Sequence, residues 1–241
     1  MSELNILDGL PPRVAELLGD APTWSDDHEG MSGGVQFVNG TYWVKRGPHA
    51  IEEHARLTWL AEQGIAVPEV VLFEQDVLVL ADAGVPSLAE HEAPGRLMGA
   101  LLRRLHELPI ERCPFDERLD VVLPRAARNV ADGLVDPEDF DFDKHGLGPE
   151  QILALLADRP DETDLVVAHG DYTPPNVLDG GILIDVGGLG LADRYRDLAL
   201  AVRDLSDDYG DAEVERFFEA YGLDTPDQRR LDYYRMLDEL F

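Results

Sequence analysis

Lysine is all but missing from this 241-residue chain: Lys45 and Lys144 alone carry it, and arginine supplies the other basic residues. Cysteine is scarcer still. A single Cys113 excludes an internal disulfide, and with no Cys/His pairs at zinc spacing a reducing compartment is expected. No apolar run approaches the length of about twenty residues that spans a bilayer. The opening MSELNILDGLPPR has neither the basic start nor the apolar core of a secretory leader, so a cytoplasmic location is expected. Positive charge is short overall. Forty-nine acids face 20 bases, a formal charge of −29, which disfavours nucleic acid and anionic membranes as partners. The acids run through the whole chain, as in 136–143, 157–164 and 207–215, and do not form one tail. That is the pattern of a hydrated, halophilic surface, on which high salt shortens the reach of self-repulsion. An acidic cleft for a cationic substrate fits the same composition.

Hydrophobic residues make up 44% of the chain, enough for the core of one large domain or two small lobes. Two strands are expected at 35–40 and 41–46, joined by an Asn39-Gly40 turn. Residues 50–63 carry Ile51, Ala55, Leu57, Leu60 and Ala61 near helical spacing and stop at Gly64. Two more strands are expected within 67–83, around Gln75-Asp76. From Gly84 onward the texture is helical, at 95–108, 149–159, 196–209, 212–222 and 228–241. A boundary therefore falls near Asp82-Ala83-Gly84, dividing the chain into 1–83 and 84–241.

Between the helical stretches lies LVVAHGDYTPPNVLDGGILIDVGG, residues 165–188. If Gly180-Gly181 is a two-residue hairpin loop, the register sets Asn176 opposite Asp185. A carboxylate and an amide carbonyl on neighbouring strands suit Mg²⁺, which takes its remaining ligands from water or phosphate. Asp171 is then free to accept a hydrogen bond, and later a proton, from a hydroxyl attacking phosphorus. Against this stands the ordinary use of Asp and Asn as solvated turn residues.

His169-Gly170-Asp171 with Asn176 resembles the H-G-D-x-x-x-x-N catalytic loop of the aminoglycoside phosphotransferases, relatives of the protein kinases. Residues 184–187 look like that family's version of D-F-G. The likeness extends over most of residues 28–241 and is greatest to the aminoglycoside 3′-phosphotransferase branch. It implies an α+β, two-lobed, protein-kinase-like fold: a small antiparallel-sheet N-lobe with one main helix, and a larger, mainly helical C-lobe. It also implies ATP and Mg²⁺, with Asp171 as base and Asn176 and Asp185 as metal ligands. Lys45 would hold the α and β phosphates, with Glu53, or its neighbour Glu52, fixing Lys45. Ser32 would lie in the loop over the phosphates, and the backbones of Ala81 and Ala83 would meet adenine at a hinge. A cationic amino sugar would be held by Asp141, Arg203, Asp204, Asp238, Glu239 and Phe241. His169 is expected to support the loop, and Asp193 and Asp197 to fix loops or cap a helix.

Two positions depart from the family pattern. Gly188 stands where the family has an arginine, three residues after the metal-binding Asp, and Phe142 stands where it often has a glutamate. The expected activity is transfer of the γ-phosphoryl of ATP to an aminoglycoside hydroxyl, by a monomer or homodimer. The alternatives are a metabolic kinase acting on a sugar or amino alcohol, with the acceptor pocket altered at Gly188 and Phe142, and a nucleotide-binding pseudoenzyme.

Overall fold

A computed structural model describes residues 9–25, 34–140 and 146–241 of the chain. Two compact units emerge: the chain up to Pro86 with Leu178–Gly187, and Ser87–Val177 with Gly188–Phe241. The first unit extends three residues past the boundary expected at 83 and takes in a ten-residue return that no local spacing announces.

The first unit is built on a five-stranded antiparallel sheet, β1 (Trp24–Ser25), β2 (Val35–Val38), β3 (Tyr42–Arg46), β4 (Val70–Glu74) and β5 (Val77–Ala81), in the order β1-β2-β3-β5-β4. The β2–β3 turn is made by Asn39 and Gly40 with φ of 55° and 62°, the left-handed pair that a tight hairpin requires. Gln75 turns β4 into β5 in the same way, with φ 58°. Val77 to Leu80 are all buried, so β5 is covered on both faces, and its unbroken apolar run follows from that. On one face Val44, Val77 and Val79 pack with Val14 and Leu18 of α1 (Pro12–Leu18). On the other lies α2 (Pro48–Glu62), which buries Ala50, Leu57 and Leu60. The short α1 and β1 are additions to what the sequence suggested.

The second unit is mainly helical: α3 (Gly95–His106), α4 (Leu119–Asp132), α5 (Pro149–Leu155), α6 (Tyr195–Tyr209), α7 (Asp211–Tyr221) and α8 (Gln228–Asp238). Helices α3 and α7 approach so closely that a Cβ at Gly95 or Gly99 would overlap the carbonyl of Glu213 or Phe217. Strands β6 (Leu165–Ala168) and β9 (Gly190–Asp193) pair antiparallel, Ala168 opposite Gly190. The loop carrying Asp171 therefore starts at a fixed point. Strands β7 (Val177–Leu178) and β8 (Ile182–Leu183) form a hairpin around Gly180 and Gly181, both with positive φ. Within β7 the chain passes into the first unit. No helix among the described residues is long and apolar enough to cross a membrane.

Candidate active site

In the first unit, Lys45 lies opposite Leu78 in the β3–β5 ladder. Its side chain therefore leaves the sheet on the α2 face, away from Val44 and Val79. There Lys45 Nζ stands 2.7 Å from one Glu53 oxygen and 2.9 Å from the other, and 2.8 Å from Asp185 Oδ1. Glu53, not Glu52, is the helix partner; Glu52 faces Arg56 instead, at 4.0 Å. Burial works against the Lys45 charge, but Glu53 and then Asp185 reverse this and raise its pKa above the ordinary lysine value. Burial pushes the Glu53 carboxyl up, and Lys45 offsets part of that rise. Lys45 is thus a fixed cation.

Asp185 has φ 56°, a conformation that costs a non-glycine residue about 1–3 kcal/mol and persists where its surroundings impose it. Those surroundings include two backbone tethers on the hairpin, Leu183 N–H to the Ala66 carbonyl and Asp179 N–H to the Pro86 carbonyl, each 2.9 Å. At the expected hinge, Ala81 gives its N–H to the Glu69 carbonyl at 2.9 Å, and Asp82 gives its own to Thr41.

The second unit holds the Asp171 loop. Asn176 Nδ2 donates to the Asp171 carbonyl at 3.0 Å and to its Oδ2 at 2.7 Å. Only the amide nitrogen can face two acceptors, so the Asn176 carbonyl oxygen is turned elsewhere. Pro174 and Pro175 lie in the 3-10 turn Pro174–Asn176, which sets the spacing between the two side chains. His169 is fully buried, and its Nδ1 accepts the Asp171 N–H at 3.3 Å, so it supports the loop from within. Asp197 receives the N–H groups of His169 and Gly170, at 2.7 and 2.8 Å, and bonds His106 Nε2 at 2.9 Å. Burial alone would raise its pKa, but His106, His169 and the Gly170 N–H together hold it below the usual carboxylate value. Tyr172 anchors the next residue by donating its hydroxyl to the Met98 carbonyl. Asp193 caps the start of α6 through the Tyr195 N–H and pairs with Arg230. His106, Tyr172 and Met98 are partners that no local pattern announces.

Of the expected substrate residues, Arg203, Asp204 and Asp238 come together: Arg203 is 2.7 Å from each carboxylate. Burial raises the Asp204 pKa against the pull of Arg203. Glu239 follows α8, and the ring of Phe241 lies 5.2 Å from the Arg125 guanidinium. Asn129 Nδ2 donates to the Leu240 carbonyl, tying the chain end to α4. Asp141, Phe142 and Ser32 lie outside the described residues.

Residues 30–234 match the model of the phosphotransferase enzyme family. An aminoglycoside 3′-phosphotransferase of Streptomyces fradiae is 42% identical, the alignment covering 90% of this chain and 95% of that one. One of Niallia circulans is 44% identical over 96% and 97%. Among solved structures, an aminoglycoside 3′-phosphotransferase of type VIII superposes with TM-score 0.82 at 37% identity, covering 95% of this chain and 97% of that one. A Streptomyces rimosus aminoglycoside phosphotransferase in complex with ADP and streptomycin gives 0.79 at 29% identity, over 94% and 95%.

Proposed function

Because this chain belongs to the phosphotransferase enzyme family and has its kinase-like fold, we propose that it transfers the γ-phosphoryl group of ATP to the 3′-hydroxyl of an aminoglycoside. The observation that carries the reading is the clasp of Asn176 on Asp171, which fixes a carboxylate on a loop anchored by Asp197. Asp171 accepts the hydrogen bond of the acceptor hydroxyl, orients it, and takes its proton as the new O–P bond forms and the bond from the γ-phosphorus to the β–γ bridging oxygen breaks, releasing ADP. Lys45 presents a point charge to the nucleotide phosphates, a role for which a compact ammonium is suited, and Glu53 keeps it in place.

Mg²⁺, when bound, neutralises phosphate charge. The Asn176 carbonyl oxygen, turned away from Asp171, and the half-exposed Asp185 carboxylate are hard oxygen donors of the kind it takes, and they are the ligands we assign to it. The Ala81 carbonyl and Ala83 amide are assigned to adenine, and Ser32 to the phosphates. Asp141, Asp204, Asp238, Glu239 and Phe241 are assigned to the amino sugar, the carboxylates among them to its ammonium groups. Arg203 serves to hold Asp204 and Asp238, a trio with a net charge of one minus. The two parts of the chain, 1–83 and 84–241, then divide the labour between nucleotide and acceptor.

The test is Mg²⁺-ATP phosphotransfer to kanamycin and to simple sugars in high salt. Asp171→Ala lowers kcat about 10²- to 10⁴-fold, the range for loss of a general base. Transfer to a plain sugar but not to kanamycin would overturn the acceptor assignment in favour of a metabolic kinase. Undiminished turnover in Asp171→Ala would remove the base.

A further inference from the structure

Gly188 carries no side chain beside the loop, and the structure shows what fills that direction. A Cβ built on Gly188 would lie 3.3 Å from Nη2 of Arg196. It would also lie 3.5 and 3.6 Å from the Gly170 Cα and carbonyl carbon. The two glycines are packed backbone to backbone: a Cβ on Gly170, whose φ is +94°, would overlap the Gly188 carbonyl. The guanidinium of Arg196 thus stands at a junction whose other member directly precedes Asp171.

Arg196 is held there. Its Nη1 lies 3.3 Å from Glu117 Oε2 and 3.5 Å from the Glu117 carbonyl oxygen. Glu117 is 3% exposed and also accepts from Arg125 Nη2 at 2.6 Å. The Glu117 N–H donates to the Leu191 carbonyl, and its Cγ occupies the space that a side chain at Gly190 would need. Two guanidinium groups share one carboxylate, so the trio carries a net positive charge against the loop. The next residue along α6 is Asp197, which takes the His169 and Gly170 amides. Consecutive residues of one helix therefore address the loop, one through its amides and the other through the Gly170–Gly188 junction.

We propose that Arg196 is a positioning residue for phosphoryl transfer: from α6, held by Glu117, it fixes the Gly170–Gly188 junction behind Asp171 and supplies the positive charge that position 188 does not. A fixed cation beside a loop at which phosphate charge shifts favours the transition state without adding to acceptor affinity. The inference rests on the kinase reading above, and the experiment separates the two.

Four proteins are compared: wild type, Arg196→Gln, Gly188→Arg and the double variant. Arg196→Gln lowers kcat for kanamycin about tenfold, corresponding to one unit charge acting at a distance, while KM stays within about twofold. The double variant restores kcat to within about threefold of wild type, because charge returns from the other side of the same contact. Gly188→Arg alone brings no gain, since its side chain meets Arg196. Melting temperatures confirm that each variant is folded, and Arg196→Met, which also removes the charge, replaces Arg196→Gln if the latter is not.

Hydrogen exchange of the Gly170 amide is measured on the same proteins and needs no turnover. It is faster in Arg196→Gln and returns towards the wild-type rate in the double variant. A wild type inert towards kanamycin strikes at the acceptor alone, and the exchange series then decides about Arg196. Unchanged kcat and unchanged exchange in Arg196→Gln, or a folded double variant with neither restored, overturns the proposal.

Discussion

Asp197 has no exposed surface and three hydrogen-bond partners on its two oxygens. A buried carboxylate in that position stabilises through its partners, and removing its charge leaves two backbone N–H groups and His106 facing a poorer acceptor. Asp197→Asn therefore costs about 3 kcal/mol of unfolding free energy by urea titration. The pH dependence has a definite sign. Because the folded-state pKa lies below the free value, the contribution is complete above that value and disappears as the pH falls through the folded pKa. The wild type loses that contribution as the pH falls below about 4, and the Asn variant does not, so the gap between their stabilities narrows there. Curves that stay parallel down to acid unfolding would remove Asp197 from that role. Activity follows the same residue by a different route, since the amides it holds are those just before Asp171.

Helices α3 and α7 meet across two glycines, and Gly99 tests that packing. Alanine there gains helix propensity worth about 1 kcal/mol but drives a methyl into the Phe217 carbonyl, so a net loss of about 2 kcal/mol is expected in urea. A neutral or stabilising Gly99→Ala would show that the pair of helices separates without cost. The same scale explains what the sequence disclosed. The β2–β3 hairpin was legible because Asn39-Gly40 adopts the conformation those residue types favour, and β5 because a strand buried on both faces reads as an unbroken apolar run. The seven-residue α1 was not, since Val14 and Leu18 gain their meaning only from Val38, Val44, Val77 and Val79 across the sheet. The Asp171 loop was readable as a motif. Its supports were not: Glu117 and Arg196 are 79 residues apart, and His106 and Asp197 are 91 apart. No local spacing connects such pairs. Arg196, which faces Gly188, lies on another element.

For the whole molecule, a formal charge of −29 means that the folded state confines repelling carboxylates at short distance. Raising KCl from 0.1 to 2 M shortens the Debye length from about 10 Å to about 2 Å. The melting temperature is expected to rise by about 5 °C or more, equivalent to one or two kcal/mol for a chain of this size. A flat or falling response would mean that the acids are already balanced by their arginine partners. The first unit has another property, which concerns time. Its last piece, Leu178–Gly187, follows 91 residues that belong to the other unit, and Lys45 meets Asp185 across 140 positions of chain. During synthesis the five-stranded sheet leaves the ribosome long before the hairpin that completes its unit. At about 5–20 residues per second, the chain spends several seconds or more with Lys45 and Glu53 made and Asp185 not yet translated. The first unit is therefore begun first but finished only after 91 residues of the second have been made.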